Sequence, residues 1–292
     1  MDSRTAAGIR ATTRLLAVLG HPVSHSLSPA MHNAAIAALG LDLLYIAHDV
    51  EPRNLDDVLK GLRKAGYLGV NLTIPHKEAA VRLCTKISPE ARLARSVNTL
   101  RFGADGIYGD TTDGAGLLDS LKAEFGFSPK GKRIVILGAG GTARSVAAAL
   151  AGTAKTIHIA NRTVEKADHL AALMNRAPGK TLFTSSMLDQ LELAAPLQDA
   201  QLVINTTSAS LTGAALPRLP WKILDTDTIA VDVMYGRPTK FLADAKRHGL
   251  RHSDGLGMLV HQGARALRIW TGRNPDTRIM REAARKALKQ GR

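Results

Sequence analysis

The sequence predicts an α/β protein whose second half is a doubly wound, mostly parallel sheet. Three observations carry that prediction. An apolar, largely β-branched run at 134–137 is followed by Gly138, Gly140 and Gly141 and then by an Ala- and Val-rich helix at 143–151. Beyond it, strands and helices alternate: a strand at 156–160, a helix at 164–174, strands at 202–205 and 229–233, and a helix at 239–248. That rhythm feeds parallel strands through helical crossovers. Finally, 292 residues at 45% hydrophobic content are enough for two domains with their own cores.

Strand, glycine turn and helix in that order form the first unit of a dinucleotide-binding fold. Gly138 allows the tight turn, and Gly140 lets backbone N–H groups approach a pyrophosphate. The anion sits on the positive end of the helix dipole. Ala143 stands where a third glycine is usual and is small enough for helix to pack on strand. Ala139, Gly141 and Thr142 complete the turn as candidate cofactor contacts. The next strand ends in Asn161-Arg162-Thr163, where an NAD site usually places a carboxylate for the ribose 2′-OH. Arg162 stands there instead, with Arg144 on the glycine helix and Lys166 one turn further on. Guanidinium and ammonium groups suit a 2′-phosphate, so the pattern favours NADP(H) over NAD(H).

Composition narrows the classes. A single cysteine, Cys84, excludes an intrachain disulfide framework and fits a reducing cytoplasm; its apolar neighbours suggest a structural thiol. No apolar run approaches the roughly 18 residues of a membrane span, and residues 1–14 read as a frayed tail without a signal core. The formal net charge is +14, but basic residues are spread along the chain and aromatics are only 4%. Stacking platforms for single strands are therefore scarce, and one cysteine gives no zinc-finger spacing. We expect no nucleic-acid partner, no membrane and no metal; the positive surface would steer anionic ligands inward.

The first half reads as follows. A strand at 15–19 enters the polar turn Gly20-His21-Pro22-Val23-Ser24-His25-Ser26-Leu27-Ser28-Pro29. Ser28 before Pro29 makes a good helix start, as cap or as ligand, while Ser26 has no capping duty at its spacing. That helix stops at Gly40. A strand at 43–48 and an amphipathic helix at 54–65 follow. In the strand from Gly69, alternation puts Val70, Leu72 and Ile74 on one face and Asn71 and Thr73 on the other. Pro75 ends it, and Lys77 falls in the turn beyond. Strands at 97–100 and 106–108 pair across Asp105-Gly106, with Asn98 in the first arm. Asp113 opens a helix reaching Phe125.

In the second half, Asn205-Thr206-Thr207-Ser208 and Asp232-Val233-Met234-Tyr235-Gly236 lie at strand ends, where open α/β sheets bind ligands. The stretch from Asp254 to Gly263 opens a further helix, and residues 276–290 form a last amphipathic one.

Taken together, these segments resemble the shikimate dehydrogenase family over residues 15–288. The resemblance rests on His-Ser-Leu-Ser-Pro at 25–29, Asn-Leu-Thr-Ile-Pro-His-Lys at 71–77, Val-Asn-Thr at 97–99 and Thr-Asp-Gly at 112–114. Gly-Ala-Gly-Gly at 138–141, Asn-Arg-Thr at 161–163 and the 255–262 stretch complete the order. It implies a mixed-sheet substrate domain from residues 1–112 and 251–292, an NADP domain over 113–250, and a cleft between them. It further implies that Ser26, Ser28 and Tyr235 hold a substrate carboxylate, that Asn71, Thr73, Asn98, Asp113 and Gln262 bind ring hydroxyls, and that Lys77 and Asp113 form the catalytic pair. Thr206 and Gly255 join the cofactor contacts. Family relatives oxidise shikimate, quinate or aminoshikimate, and a non-catalytic NADP- or shikimate-binding regulator is the alternative of another class. Retention of both Lys77 and Asp113 argues against a mere binder. A lysine beside a carboxylate holds its proton tightly, which suits reduction of a carbonyl. The chain departs from the family's usual residues at Thr111, Thr206, Ser210, Leu211 and Gly236. A monomer or homodimer is expected.

Overall fold

The computed structural model describes residues 9–207, 216 and 218–290. Ser208, Ser210 and Leu211, singled out above, lie outside them. The chain divides into two compact units: Met1–Gly116 with Leu259–Arg292, and Leu117–Met258.

The first unit holds β1 (Arg14–Gly20), α1 (Ser28–Ala38), β2 (Leu43–Asp49), α2 (Leu55–Lys64) and β3 (Gly69–Leu72). A 3₁₀ turn over Ala79–Leu83, β4 (Lys86–Ile87), α3 (Pro89–Ala94), β5 (Thr99–Gly103) and β6 (Gly106–Asp110) follow. The sheet order is β2-β1-β3-β5-β6-β4. β1 runs parallel to β2 and β3, and β5 runs antiparallel to β3 and β6, so the sheet is mixed. Leu19, Leu59, Val70, Val97 and Leu100 are sealed in its core. Each such leucine contributes roughly 2 kcal/mol of burial.

Several sequence expectations are corrected here. The chain is not frayed up to Arg14. Thr12 and Thr13 donate hydroxyl hydrogen bonds to Asp42, at 2.8 and 2.7 Å, and Arg14 opens β1. Strand β3 ends at Leu72 rather than running to Pro75. Thr73 N–H still reaches Leu19 O at 2.9 Å, but the chain then turns, with His76 N–H donating to Thr73 O, and Ile74 is 51% exposed. Ser28 does not cap α1. Leu27 occupies that position without a side-chain bond, and Ser26 Oγ accepts from the Ser28 N–H at 3.3 Å. Asn98 lies one residue before β5.

The second unit begins within α4 (Asp113–Phe125) and contains β7 (Arg133–Leu137), α5 (Gly141–Leu150), β8 (Thr156–Asn161), α6 (Val164–Met174) and β9 (Leu182–Met187). It continues with α7 (Ala194–Gln198), β10 (Leu202–Asn205), β11 (Ile229–Asp232), α8 (Lys240–Arg247) and β12 (Arg251–Ser253). Its order, β12-β11-β10-β7-β8-β9, with every described pairing parallel, is that of a dinucleotide-binding sheet. β7 lies at the centre, flanked by β8 and β10, where the strand order reverses. α9 (Leu256–Thr271) carries the chain back to the first unit, which ends in α10 (Thr277–Gln290). Among the described residues no helix is long and apolar enough to cross a membrane.

Candidate active site and nucleotide cradle

In the first unit, β3, β5, the start of α4 and α9 converge on one buried polar cluster. Lys77 leaves the turn after β3, and its Nζ meets Asp113 Oδ2 at 2.5 Å. The two side chains are only 13% and 6% exposed, so solvent screens the pair weakly. Asp113, the first residue of α4, also accepts from Asn98 Nδ2 at 2.7 Å on its other oxygen. Asn98 Nδ2 lies 3.0 Å from Thr112 Oγ1 and 3.2 Å from Gln262 Oε1, while Asn98 Oδ1 accepts from the Thr112 N–H at 2.8 Å. Gln262 arrives from α9, 164 residues away in sequence, with its amide nitrogen donating to Leu259 O. Gly116 makes room for it: a Cβ there would stand 2.5 Å from the Gln262 backbone nitrogen.

Asn71, on β3, is hydrogen-bonded within the protein on both ends of its amide. Its Nδ2 donates to Asn98 O and to Thr99 Oγ1, both at 3.0 Å, and its Oδ1 accepts from the Tyr45 hydroxyl at 2.7 Å. Thr73 is half-buried, its methyl against Gly20, where a Cβ would be 2.4 Å away. Ser26 and Ser28 follow β1 at the start of α1. The structure thus gathers Lys77, Asp113, Asn71, Asn98 and Gln262 into one hydrogen-bonded network. Tyr235 follows β11 in the second unit. Sequence reading missed Tyr45 and Thr112 as members of the network; both look like ordinary core and cap residues until the tertiary contacts are seen. Cys84 is a structural thiol: burial pushes it up to about 11, and its Sγ donates to Ala80 O.

The second unit holds the glycine cradle. β7 ends at Leu137, and Gly138 adopts φ 111°, a conformation that disfavours side chains. A Cβ on it would also strike Thr206 Oγ1 at 2.5 Å. That hydroxyl donates to Leu137 O at 2.8 Å, so Thr206 seals the end of β7. At Gly140, which precedes α5, a Cβ would meet nothing within 4 Å, so this side of the turn is open to a ligand. Gly141 and Thr142 start α5, and Ala143 is fully buried, as close helix-on-strand packing requires. Asn161 ends β8 and donates from Nδ2 to Thr163 O, while Arg162 and Lys166 stand exposed at the start of α6. No carboxylate occupies that strand end. Open backbone at a helix N-terminus with cations beside it fits a phosphorylated dinucleotide. Gly255 has a packing reason of its own: a Cβ there would lie 2.0 Å from Val233 O.

A parallel dinucleotide-type sheet in one unit and a buried lysine–carboxylate pair in the other define an NADP-type oxidoreductase of two α/β units. Comparison with known proteins gives the same class. Residues 18–100 match the shikimate dehydrogenase substrate binding domain, residues 120–214 the shikimate/quinate 5-dehydrogenase family, and residues 255–285 the shikimate 5′-dehydrogenase C-terminal domain. The chain is 43% identical to the NADP(+) shikimate dehydrogenase of Geobacter metallireducens, over 97% of this chain and 99% of that protein. A crystal structure of a shikimate dehydrogenase in complex with NADP+ superposes with a TM-score of 0.86 at 38% identity, covering 96% of this chain and 97% of that one. The Thermus thermophilus shikimate 5-dehydrogenase in complex with NADP(H) and shikimate gives 0.82 at 41% identity, covering 94% and 99%. The chain belongs to the shikimate dehydrogenase family.

Proposed function

We propose that this chain reversibly reduces 3-dehydroshikimate to shikimate with NADPH. The observation that carries the reading is the buried Lys77–Asp113 contact at 2.5 Å inside a wall of amide and hydroxyl side chains. A small, hydroxyl-rich carboxylate needs short polar groups with fixed directions, and Asn98, Thr73, Gln262 and Asp113 supply them. Ser26, Ser28 and Tyr235 are assigned to its carboxylate. We assign the substrate to residues 1–112 and 251–292 and the nucleotide to 113–250; the division between the two compact units falls a few residues later in each case, within α4 and α9.

When bound, NADPH supplies the hydride that is added to the substrate carbonyl carbon. Lys77 does the rest of the chemistry at the oxygen. Its ammonium stabilises the developing alkoxide and passes a proton to it. Asp113 holds Lys77 in place through one carboxylate oxygen and is itself oriented by Asn98 through the other. In the reverse direction the Lys77 side chain, held by Asp113, would accept the hydroxyl proton. For the cofactor, Gly138, Ala139, Gly140, Gly141, Thr142 and Ala143 would hold the pyrophosphate. Asn161, Arg162, Thr163 and Lys166 would hold the adenosine 2′-phosphate, and Thr206 and Gly255 would contact the rest of the nucleotide. The half-buried thiol of Cys84 suits a reducing compartment, and we place the enzyme in the cytoplasm as a monomer or homodimer.

The test is nicotinamide absorbance with purified protein, offering NADP+ with shikimate, NADP+ with quinate, and NAD+ with each. Rapid reduction with shikimate and NADP+ supports the proposal. Faster turnover of quinate or of NAD+ moves the chain to another branch of the family, and ligand binding without turnover makes it a regulator.

A further inference from the structure

Behind the substrate-facing side chains lies a second, fully buried layer. Tyr45, on β2, is 1% exposed and held from three sides. Asn33 clamps its backbone, with Nδ2 donating to Tyr45 O and Oδ1 accepting from the Tyr45 N–H, both at 2.8 Å. His32, the preceding residue of α1, stacks on the ring with centroids 4.2 Å apart and planes 5° from parallel. Trp270 tilts against the ring at 6.1 Å. A ring fixed this firmly gives its hydroxyl one direction, and that direction is Asn71 Oδ1 at 2.7 Å. Burial pushes the Tyr45 hydroxyl well above its usual range, so it remains a donor.

Asn71 in turn spends both of its N–H groups on protein. One goes to the backbone carbonyl of Asn98 and one to Thr99 Oγ1. The Asn98 backbone is thereby fixed on the side opposite its own amide, which holds Asp113 and Gln262. A side chain so occupied has little left for a ligand.

Resting on the activity proposed above, we propose that Asn71 is a positioning residue rather than a substrate ligand, and that the Tyr45 hydroxyl acts through Asn71 to set Asn98. Tyr45 and Asn71 touch neither the substrate nor the Lys77–Asp113 contact. Their loss therefore reaches the site through Asn98, falling on shikimate binding and on the orientation of Asp113, and leaves the cofactor's KM largely alone.

A double-mutant cycle tests this, using Tyr45→Phe, Asn71→Leu and the pair, with KM and kcat measured for shikimate and NADP+. Tyr45→Phe removes one oxygen and leaves a buried amide oxygen unmet. The shikimate KM should rise about ten-fold, the equivalent of one unmade buried hydrogen bond, while the KM for NADP+ stays within about two-fold. In the Asn71→Leu background the same change should add less than about two-fold, since its target is gone. Where Asn71→Leu does not yield folded protein, Asn71→Ser takes its place, and Thr99→Val should reproduce the shikimate effect. Effects of Tyr45→Phe and the Asn71 substitution that multiply independently overturn the inference, as does a Tyr45→Phe effect shared equally by shikimate and NADP+. An unmodified chain that does not oxidise shikimate overturns the activity and this inference together. An active one with multiplying effects overturns the inference alone.

Discussion

His32 makes the stability of the first unit depend on pH in a way that can be calculated. The residue is fully buried, and neither ring nitrogen has a hydrogen-bond partner. Burial lowers its pKa from 6.5 to about 3. As pH falls through 6.5 the unfolded chain takes up a proton that the folded chain refuses until about pH 3. The contribution is therefore fully present above 6.5 and is lost progressively below it. At pH 5 the loss amounts to about 2 kcal/mol for this one group. The chain has two tryptophans, and they divide between the units: Trp270 in the first, Trp221 in the second. A Trp221→Phe background leaves Trp270, whose ring lies 5.8 Å from that of His32, as the reporter. Urea unfolding followed by Trp270 emission at pH 7.5 and 5.0 should show the loss. Adding His32→Leu should remove about 2 kcal/mol of it, whatever that substitution does to absolute stability. An unchanged difference between the two pH values in His32→Leu would refute the reasoning. His158, whose pKa is lowered by burial to about 4, belongs to the second unit and so should register at Trp221 instead.

Other expectations bear on the site. Lys77→Ala should lower kcat at least ~100-fold, the lower end for general acid–base catalysis, with a modest change in shikimate KM; steady-state kinetics at saturating NADP+ read this out, and an unchanged kcat would remove Lys77 from the chemistry. Arg162→Ala should weaken NADPH far more than NADH in a fluorescence titration; equal weakening would contradict its assignment to the 2′-phosphate. Gly116→Ala forces a Cβ to within 2.5–2.8 Å of Gln262 backbone and Cβ atoms, which cannot swing away as a flexible side-chain tip would. It should cost about 1–3 kcal/mol in thermal or urea unfolding and raise the shikimate KM more than the NADP+ KM. A variant as stable as the parent would show that α4 and α9 can separate freely there.

The amino-acid sequence alone determined the parts of this protein whose signals are local. The strand, glycine turn and helix at 134–151 need only a β-branched run, backbone freedom at Gly138 and small residues after it, and all of these are written contiguously. The periodicity of 164–174 placed α6 at its observed limits, Val164–Met174. The lack of a carboxylate after β8 is likewise a statement about one position. Short elements were not legible: β4 has two residues, α3 has six, and the edge strand β9 mixes exposed and buried positions without clean alternation. Such segments are held by neighbours rather than by their own pattern. The arrangement of the site is also a tertiary fact. Asn98 finds Gln262 across 164 residues, and Gly116 is a glycine because α9 crosses it. Which of Ser26 and Ser28 supports the helix start was reversed by the turn's actual path. That Asn71 is braced by Tyr45, 26 residues away, is likewise invisible in the sequence and is what makes it a positioning residue in the inference proposed above. A motif states which polar groups are present; only the folded chain decides which of them are already satisfied, because a buried polar group must be paired by whatever the fold brings to it.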